Sequence, residues 1–313
     1  MKRLWLIVSS YLILNGQQTQ LSNSFDISPP RLNQKNVNID GFLDEVEWSK
    51  AVSHSGFTSY LPVDGRPAED DTEVRIWYSP TALYVGIIAH EIHNEVRSTL
   101  ADRDKLENDD YLILILDTYD DKRSAFAFSV NPLGQQGDGT ITDNTSMGRN
   151  SKSFRLDDNP DYVFNSRGRV TKDGFIVEVE IPFKSLRYQS KNTQNWGFNV
   201  LRYIQHSGYT STLISTKLGA ASFLAQSGKL LNLSGIERDR IFDINPEIRG
   251  AVKREADDKN YNSEMTDPVG FNVRYGWSSN VGINATVNPD FSQIEADVAQ
   301  INYDPRRSLF FPE

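Results

Sequence analysis

The sequence predicts an all-β protein whose main part is an antiparallel β-sandwich, and three observations support this class. Apolar and polar residues alternate with a period of two in many short segments, as they do in half-buried strands. Glycine, aspartate and asparagine separate these segments at the positions expected of tight turns. Helical periodicity is almost absent. Because strands without helices bury their apolar faces against one another, residues 30–235 are predicted to form packed sheets.

One turn and one short helix are predicted at the start of the sandwich. Asp40 and Gly41 form a turn dipeptide. Asp44 is followed three residues later by Glu47, which matches a capping box at the start of a helix. This helix would place Trp48 in the core.

The strands of the sandwich follow at close spacing. The segment Asp110–Asp117 is a nearly continuous apolar run bounded by carboxylates, so it is predicted to be a central strand buried on both faces. Thr171–Gly174 is predicted to be a hairpin turn. The glycine-rich segment Gly134–Gly139 lacks the lysine and the following helix of a phosphate-binding loop, and is predicted to be a simple loop. The other predicted strands are Val74–Tyr78, Leu83–Ala89, Ser124–Val130, Arg169–Val170, Gly174–Ile181 and Trp196–Ile204.

A second β-unit is predicted in residues 240–313. Phe242–Val252 and Phe271–Phe291 have the pattern of strands, and the polar segment Lys253–Pro268 has the composition of a long loop between them. Phe271–Trp277 alternates apolar with polar or small residues and ends in an aromatic residue. This pattern is typical of a soluble hairpin and of a strand in a transmembrane β-barrel alike.

The first 24 residues have the pattern of a secretory signal peptide. Lys2 and Arg3 precede the apolar run Leu4–Leu14, which suits a signal sequence and is too short for a transmembrane helix. An uncleaved anchor and a buried strand are the alternatives. We therefore expect the protein to be exported.

The composition limits the classes of function. The chain has 313 residues, of which 38% are hydrophobic and 24% charged, enough for one large or two modest folded domains. Its net charge is −9, so nucleic acid is not an expected partner, because phosphates require a basic surface. Cysteine is absent, which excludes disulfides, thiolate metal sites and cysteine nucleophiles.

The titratable residues suggest three further interpretations. His90 and His93 have the spacing of a zinc pair on a helix, but His90 ends a strand pattern, so surface histidines are favoured and no metal site is assigned. The carboxylates between residues 102 and 121 include Asp104 and Asp109, which could serve as the acid–base pair of a glycosidase. No cofactor is assigned. Calcium is the alternative, because the same carboxylates would suit it, although the EF-hand spacing is missing.

Several long motifs resemble one bacterial outer-membrane family of unknown function. They are IDGFLDEVEW, TEVRIWYSPTALYVGIIAHE, SVNPLGQQGDG, GFIVEVEIPFKSLRY, VNPDFSQIEAD and FFPE. Members carry an exported domain similar to family-nine carbohydrate-binding modules, followed by a C-terminal β-barrel. The resemblance implies such a sandwich in residues 30–235 and the truncated start of an outer-membrane barrel in residues 240–313. It implies a location in the periplasm and at the outer membrane, and an oligo- or polysaccharide as the partner.

Sugar-binding residues are predicted in the loops of the sandwich. Tyr162 and Phe164 are candidate stacking platforms, because flat aromatic rings pack against the C–H faces of sugars. Arg103, Asp104 and Asn131 are candidates for hydrogen bonds with sugar hydroxyls. Relatives tend to carry tryptophan at the positions of Tyr162 and Phe164, and also where this chain has Phe175.

Three hypotheses of function follow from this sequence. The first is non-catalytic binding of a glycan by the sandwich, with no catalytic residue. The second is a glycoside hydrolase that uses two of the loop carboxylates to cleave O-glycosyl bonds during carbohydrate catabolism. The third is a structural role, in which the sandwich caps or plugs the barrel and binds no ligand.

Overall fold

A computed structural model describes most of the predicted sandwich and three later strands. The predicted signal peptide and the predicted loop Lys253–Pro268 lie outside the described residues. The structure describes residues 25–33, 37–142, 156–158, 160–220, 222–237, 242–248, 269–278 and 281–287.

The described chain contains sixteen strands and one α-helix, and the predicted all-β class is confirmed. The helix α1 spans Val46–Lys50, and single 3-10 turns occur at Phe183–Ser185 and Leu224–Gln226. The strands are β1 Asp26–Ile27, β2 Val52–His54, β3 Thr58–Leu61, β4 Thr72–Tyr78, β5 Ala82–His90, β6 Tyr111–Asp117, β7 Ser124–Val130, β8 Gln136–Thr142, β9 Asn165–Thr171, β10 Gly174–Pro182, β11 Thr193–Ile204, β12 Tyr209–Thr212, β13 Gly228–Ser234, β14 Phe242–Ile248, β15 Val269–Ser278 and β16 Val281–Val287.

Two sheets pack face to face and form the sandwich. The larger sheet has the order β1-β13-β11-β6-β7-β8, and β12 and β3 extend it beside the end of β11. The smaller sheet has the order β2-β4-β5-β10-β9. Neighbouring strands are antiparallel apart from β1 and β13, which run parallel. Alternate residues of both sheets, such as Val177 and Val179 on β10, meet in one apolar core.

Strand β6 is buried on both faces, as its apolar run predicts. Leu112, Leu114 and Leu116 join the core between the sheets. Ile113 and Ile115 point to the opposite face and join a second apolar cluster, since successive side chains of a strand alternate. The outer face of the larger sheet is therefore covered by other side chains. The candidate site lies on this face.

Helix α1 covers the outer face of the smaller sheet. Trp48 is 1% exposed and packs edge-on against Trp77, with ring centroids 5.9 Å apart. The predicted capping residue was wrong, because Glu45 rather than Asp44 occupies the N-cap position and its side chain makes no capping hydrogen bond. Burial of Trp48, rather than a cap, holds this single helical segment in place.

The segment Gly134–Gly139 is only partly a loop, which corrects the prediction. Its second half belongs to β8, the edge strand that pairs with β7. Glycine suits this strand because the backbone of Asp157 lies directly against Gly139, where a Cβ atom would collide with it. Gly139 thus permits a close approach of two chain segments, whereas Gly134 lies in the turn before β8.

Strands β14, β15 and β16 form a separate three-stranded antiparallel sheet. In the part of the chain that the structure describes, no helix combines the length and the apolar character needed to cross a membrane.

Candidate functional site

Arg103 connects the segments that meet at the edge of the larger sheet. One guanidinium nitrogen donates to Gln136 Oε1 at 3.0 Å, and another donates to the carbonyl oxygen of Tyr162 at 2.7 Å. The same group forms an ion pair with Asp138 and lies 5.7 Å from the centroid of the Phe164 ring. Arg103 therefore holds the segment that carries Tyr162 and Phe164 against β8.

Asp104 is held in a left-handed backbone conformation beside Arg103. Its φ is 65°, which is uncommon for a residue with a Cβ atom. Its Oδ1 accepts a hydrogen bond of 2.8 Å from the N–H of Asp138, and its own N–H donates to the carbonyl oxygen of Gln136 at 3.1 Å. Burial raises the pKa of Asp104 and of Asp138, while backbone N–H donors and the Arg103 guanidinium oppose this rise.

Three carboxylates of this region offer oxygen atoms within 4.8 Å of one another, on Asp104, Asp138 and Asp161. They are the group that calcium would use. However, Asp138 is already paired with Arg103 and accepts a short hydrogen bond from the N–H of Tyr162. The arrangement favours an ion pair with a guanidinium over a bound calcium ion, because these donors occupy the oxygens that calcium needs.

The predicted aromatic platforms pack into the protein. Phe164 is 4% exposed and meets Phe128 edge-on, with ring centroids 5.1 Å apart. Tyr162 is half-buried against Phe126, and its hydroxyl lies 3.1 Å from Thr140 Oγ1. Phe175 is buried in the core between the sheets. Arg103 and Asp138 turn the 160–164 segment inward, so these rings anchor the segment to the sheet.

Asn131 lies away from this cluster and is completely buried. Its Nδ2 donates to Asp109 Oδ2 at 2.7 Å and to the carbonyl oxygen of Thr99 at 2.9 Å. Its Oδ1 accepts from the N–H groups of Leu133 and Gln135. The amide thus holds the turn between β7 and β8, which is a structural role. Asp109, a candidate of the hydrolase hypothesis, is buried beside it.

A cleft of about 220 Å³ opens next to Asp104 on the outer face of the larger sheet. One wall is apolar. It is formed by the apolar cluster on the outer face of the larger sheet, which includes Ile113, and by the segment around Asp157 that pairs with β8. Its polar wall carries carboxylates. The apolar lining residues are Leu106, Tyr111, Ile113 and Leu156, and the acidic ones are Asp104, Glu107, Asp138 and Asp158.

Two tyrosines on neighbouring strands stack beside this cleft. Tyr111 on β6 and Tyr203 on β11 are directly opposite in the strand register, and their ring centroids are 4.9 Å apart at 24°. Tyr111 is 7% exposed, while Tyr203 is half-buried. Burial raises the pKa of both phenols, so both stay protonated and able to donate a hydrogen bond.

The sequence analysis missed this pair, although both residues lie in predicted strands. The period of two places Tyr111 on the same face as Ile113, but only the strand register brings Tyr203 opposite to it. Of the predicted sugar-binding residues, Arg103, Asp104, Tyr162 and Phe164 come together at the β8 edge. Asn131 does not join them.

The two packed sheets with a side cleft define a β-sandwich of the kind that carries ligand sites on its surface. The chain belongs to the carbohydrate family 9 binding domain-like family, whose profile matches residues 39–216. This match covers more than half of the chain and includes every residue of the cleft. The predicted resemblance of the sandwich to family-nine modules is thereby confirmed.

Two solved structures that resemble the chain are complexes of a family 9 carbohydrate-binding module from Caldicellulosiruptor kristjanssonii. The cellotriose complex is 15% identical, with a TM-score of 0.46, and the match covers 66% of this chain and 92% of that one. The glucose complex is 16% identical, with a TM-score of 0.44, and the match covers 69% of this chain and 98% of that one. Among curated protein sequences, none matches the chain significantly.

Proposed function

We propose that the sandwich binds carbohydrate without cleaving it, in the cleft on the outer face of the larger sheet. Membership of the carbohydrate family 9 binding domain-like family supports the class of ligand. The choice of site rests on the stacked tyrosine pair, because Tyr111 lines the cleft and Tyr203 stacks against Tyr111. An aromatic surface next to carboxylates suits a sugar, which has apolar C–H faces and polar hydroxyls.

The cleft favours a short glycan segment as the ligand. Its volume of about 220 Å³ is below the ~300–1,000 Å³ typical of ligand pockets. One sugar ring would therefore fill it, and neighbouring rings of an oligosaccharide would extend along the surface. Glu107 and Asp158 are exposed at the cleft and are the expected acceptors of sugar hydroxyl groups.

The carboxylates support binding better than hydrolysis. A glycosidase needs two carboxyl groups that face each other across the scissile bond. Asp109 is fully buried, and Thr99 Oγ1 and Asn131 Nδ2 both donate to its Oδ2. It therefore serves the turn between β7 and β8 and does not face the cleft.

A glycan array followed by calorimetry on the full chain tests this proposal. The array should show binding to neutral oligosaccharides, and Tyr203→Ala should weaken it about tenfold, as expected for the loss of roughly 1.4 kcal/mol of aromatic contact. Tyr119→Ala is the matched control, since Tyr119 is exposed in the turn after β6 and belongs neither to the cleft nor to the stacked pair. An array without binding would refute the function, and equal effects of the two variants would refute the site.

We also propose that the protein is exported and that residues 240–313 begin an outer-membrane β-barrel. The signal-like residues 1–24 support the export, and the amphipathic sheet of β14, β15 and β16 supports the barrel. The strand register places Ile244, Phe271 and Ile283 on the same face, and all three are exposed. Asn272 and Asn284 alternate with them toward the other face.

Fractionation of the native cells, in which the whole barrel can form, tests this second proposal. The protein should be found with the outer membrane and should resist extraction with carbonate. Ile283→Lys should reduce this association, because lysine facing lipid costs about 2–4 kcal/mol, whereas Asn284→Lys on the other face should not. Recovery of the unmodified protein in the soluble fraction would refute the membrane location.

A further inference from the structure

A second cavity, separate from the sugar cleft, is lined by histidine and glutamate side chains. Its volume is about 340 Å³, and it is lined by Glu69, His93, Glu95, His206 and Tyr209, among others. None of these residues lines the sugar cleft. They come from three loops that are distant in sequence: the loop before β4, the loop after β5 and the turn between β11 and β12.

One distance in this cavity suits two ligands of a single metal ion. His93 Nε2 lies 3.6 Å from Glu69 Oε1, which is too long for a good hydrogen bond. Two ligand atoms on one tetrahedral zinc ion lie about 3.4 Å apart, given zinc–ligand distances of about 2.0–2.2 Å. The separation of these two atoms therefore matches a pair of zinc ligands better than a hydrogen-bonded pair.

The second imidazole faces the first. The rings of His93 and His206 have centroids 5.6 Å apart and an interplanar angle of 77°. Two imidazoles on one tetrahedral ion have centroids roughly 5 Å apart, so a rotation of the exposed His93 and the half-buried His206 would bring them to one ion. Nδ1 of His206 is shielded from solvent and has no hydrogen-bond partner within the described residues, so turning this ring toward an ion breaks no bond of that nitrogen.

Buried acids fix the three loops that carry these ligands. Asp70, next to Glu69 in the chain, accepts a 2.9 Å hydrogen bond from the N–H of Ile92. Glu91 accepts from the N–H of His93 at 3.1 Å, and Asp110 accepts from the N–H of Gln205 at 2.7 Å. All three acids are at most 4% exposed. The ligands therefore lie on backbone that is held in place before any ion binds, as preformed metal sites require.

We propose that His93, His206 and Glu69 form a binding site for a divalent transition-metal ion of the zinc class, with Glu95 or water as the fourth ligand. Imidazole nitrogen and carboxylate oxygen are the donor set that zinc accepts, whereas calcium binds oxygen alone. The site is independent of the proposed sugar cleft, so failure of either proposal leaves the other in place.

Titration of the full chain with zinc and cobalt chlorides tests the site. The protein is purified without a histidine tag, stripped with a chelator and titrated by calorimetry. We expect one ion per chain, and a cobalt absorption spectrum of the tetrahedral type. His93→Asn and His206→Asn should each weaken zinc binding by more than about 10–100-fold, which is the loss caused by removing a residue that only supports a ligand.

His90→Asn is the matched control, because His90 is an exposed histidine three residues from His93 that does not line the cavity. It should bind zinc as the unmodified protein does. Glu69→Gln, on an exposed side chain, keeps the test valid if a histidine variant proves unstable, and it should also weaken binding. Melting curves in chelator should be alike for all variants. Zinc binding that is absent, or equal in the His93→Asn and His90→Asn variants, would overturn the proposal.

Discussion

Arg202 joins the two sheets through the carbonyl oxygen of His90. Its Nη2 donates to this oxygen at 2.6 Å, and its Nη1 donates to Thr72 Oγ1 at 2.9 Å. Arg202 belongs to β11 of the larger sheet, whereas His90 ends β5 of the smaller one. The side chain is 1% exposed, and burial lowers its pKa while nearby acids, among them Asp70 and Glu91, oppose this shift.

Replacement of Arg202 by alanine should destabilise the protein strongly. The buried carboxylates of Glu91 and Asp110 would lose their counter-charge, and removing one partner of a buried ionic group typically costs about 3–5 kcal/mol. Denaturant unfolding at neutral pH measures this loss. Arg75→Ala is the control, because the ion pair of Arg75 with Glu73 is partly exposed and should be worth about 0–1 kcal/mol. Equal losses in both variants would contradict the role of Arg202 between the sheets.

Glu178 should make the stability depend on pH. Its carboxylate is fully buried and accepts hydrogen bonds from Trp48 Nε1 and the N–H of Gly41, both at 3.1 Å. Burial raises its pKa from the usual 4.5 to about 7, although these donors oppose the rise. The folded protein thus holds this proton more tightly than the unfolded chain, so the stabilisation is complete below about pH 4.5 and is lost as the pH rises through 7.

Comparison with Glu178→Gln isolates this effect from other titrating groups. Between pH 5 and pH 8, the unfolding free energy of the unmodified protein should fall by about 2 kcal/mol more than that of the variant, since a tenfold change in proton affinity is worth about 1.4 kcal/mol. Parallel pH profiles of the two proteins would show that Glu178 keeps an ordinary pKa in the folded state.

Asn131→Ala should reduce stability and leave glycan affinity unchanged. In a buried site, the substitution leaves two backbone N–H groups without their acceptor and removes one of the two donors to Asp109 Oδ2, which we expect to cost about 2–4 kcal/mol. Asn165→Ala, which removes an exposed hydrogen bond with Glu180, should change stability little. Normal stability combined with lost glycan binding would instead favour the original prediction that Asn131 contacts sugar.

Gly139→Ala should weaken glycan binding through the shape of the cleft. The new methyl group would collide with the carbonyl oxygen of Asp157, which accepts a hydrogen bond of 2.9 Å from the N–H of Thr140. The segment would move away from β8 and displace Asp158 at the cleft. Calorimetry should show a several-fold loss of affinity, whereas Gly219→Ala, with open space around it, should bind normally. Unchanged affinity in Gly139→Ala would place the ligand elsewhere.

The strands were predictable because their signal is local. Side chains alternate along a strand, so the apolar run of β6 is sufficient to predict a strand buried on both faces. The N-cap was not predictable, since Asp44 is the better capping residue by composition and yet the backbone starts the helix after Glu45. The strand character of β8 was missed because its glycines serve contacts with a segment that is distant in sequence.

The sequence by itself determined the all-β class, most of the strands and the family to which the sandwich belongs. Only the tertiary structure decided which side chains share a site. Arg103 and Asp138 turn the predicted platforms Tyr162 and Phe164 inward, and strand register brings Tyr111 against Tyr203. Alternation depends on neighbouring residues alone, whereas these contacts depend on how segments distant in the chain pair and pack, and no local pattern records that pairing.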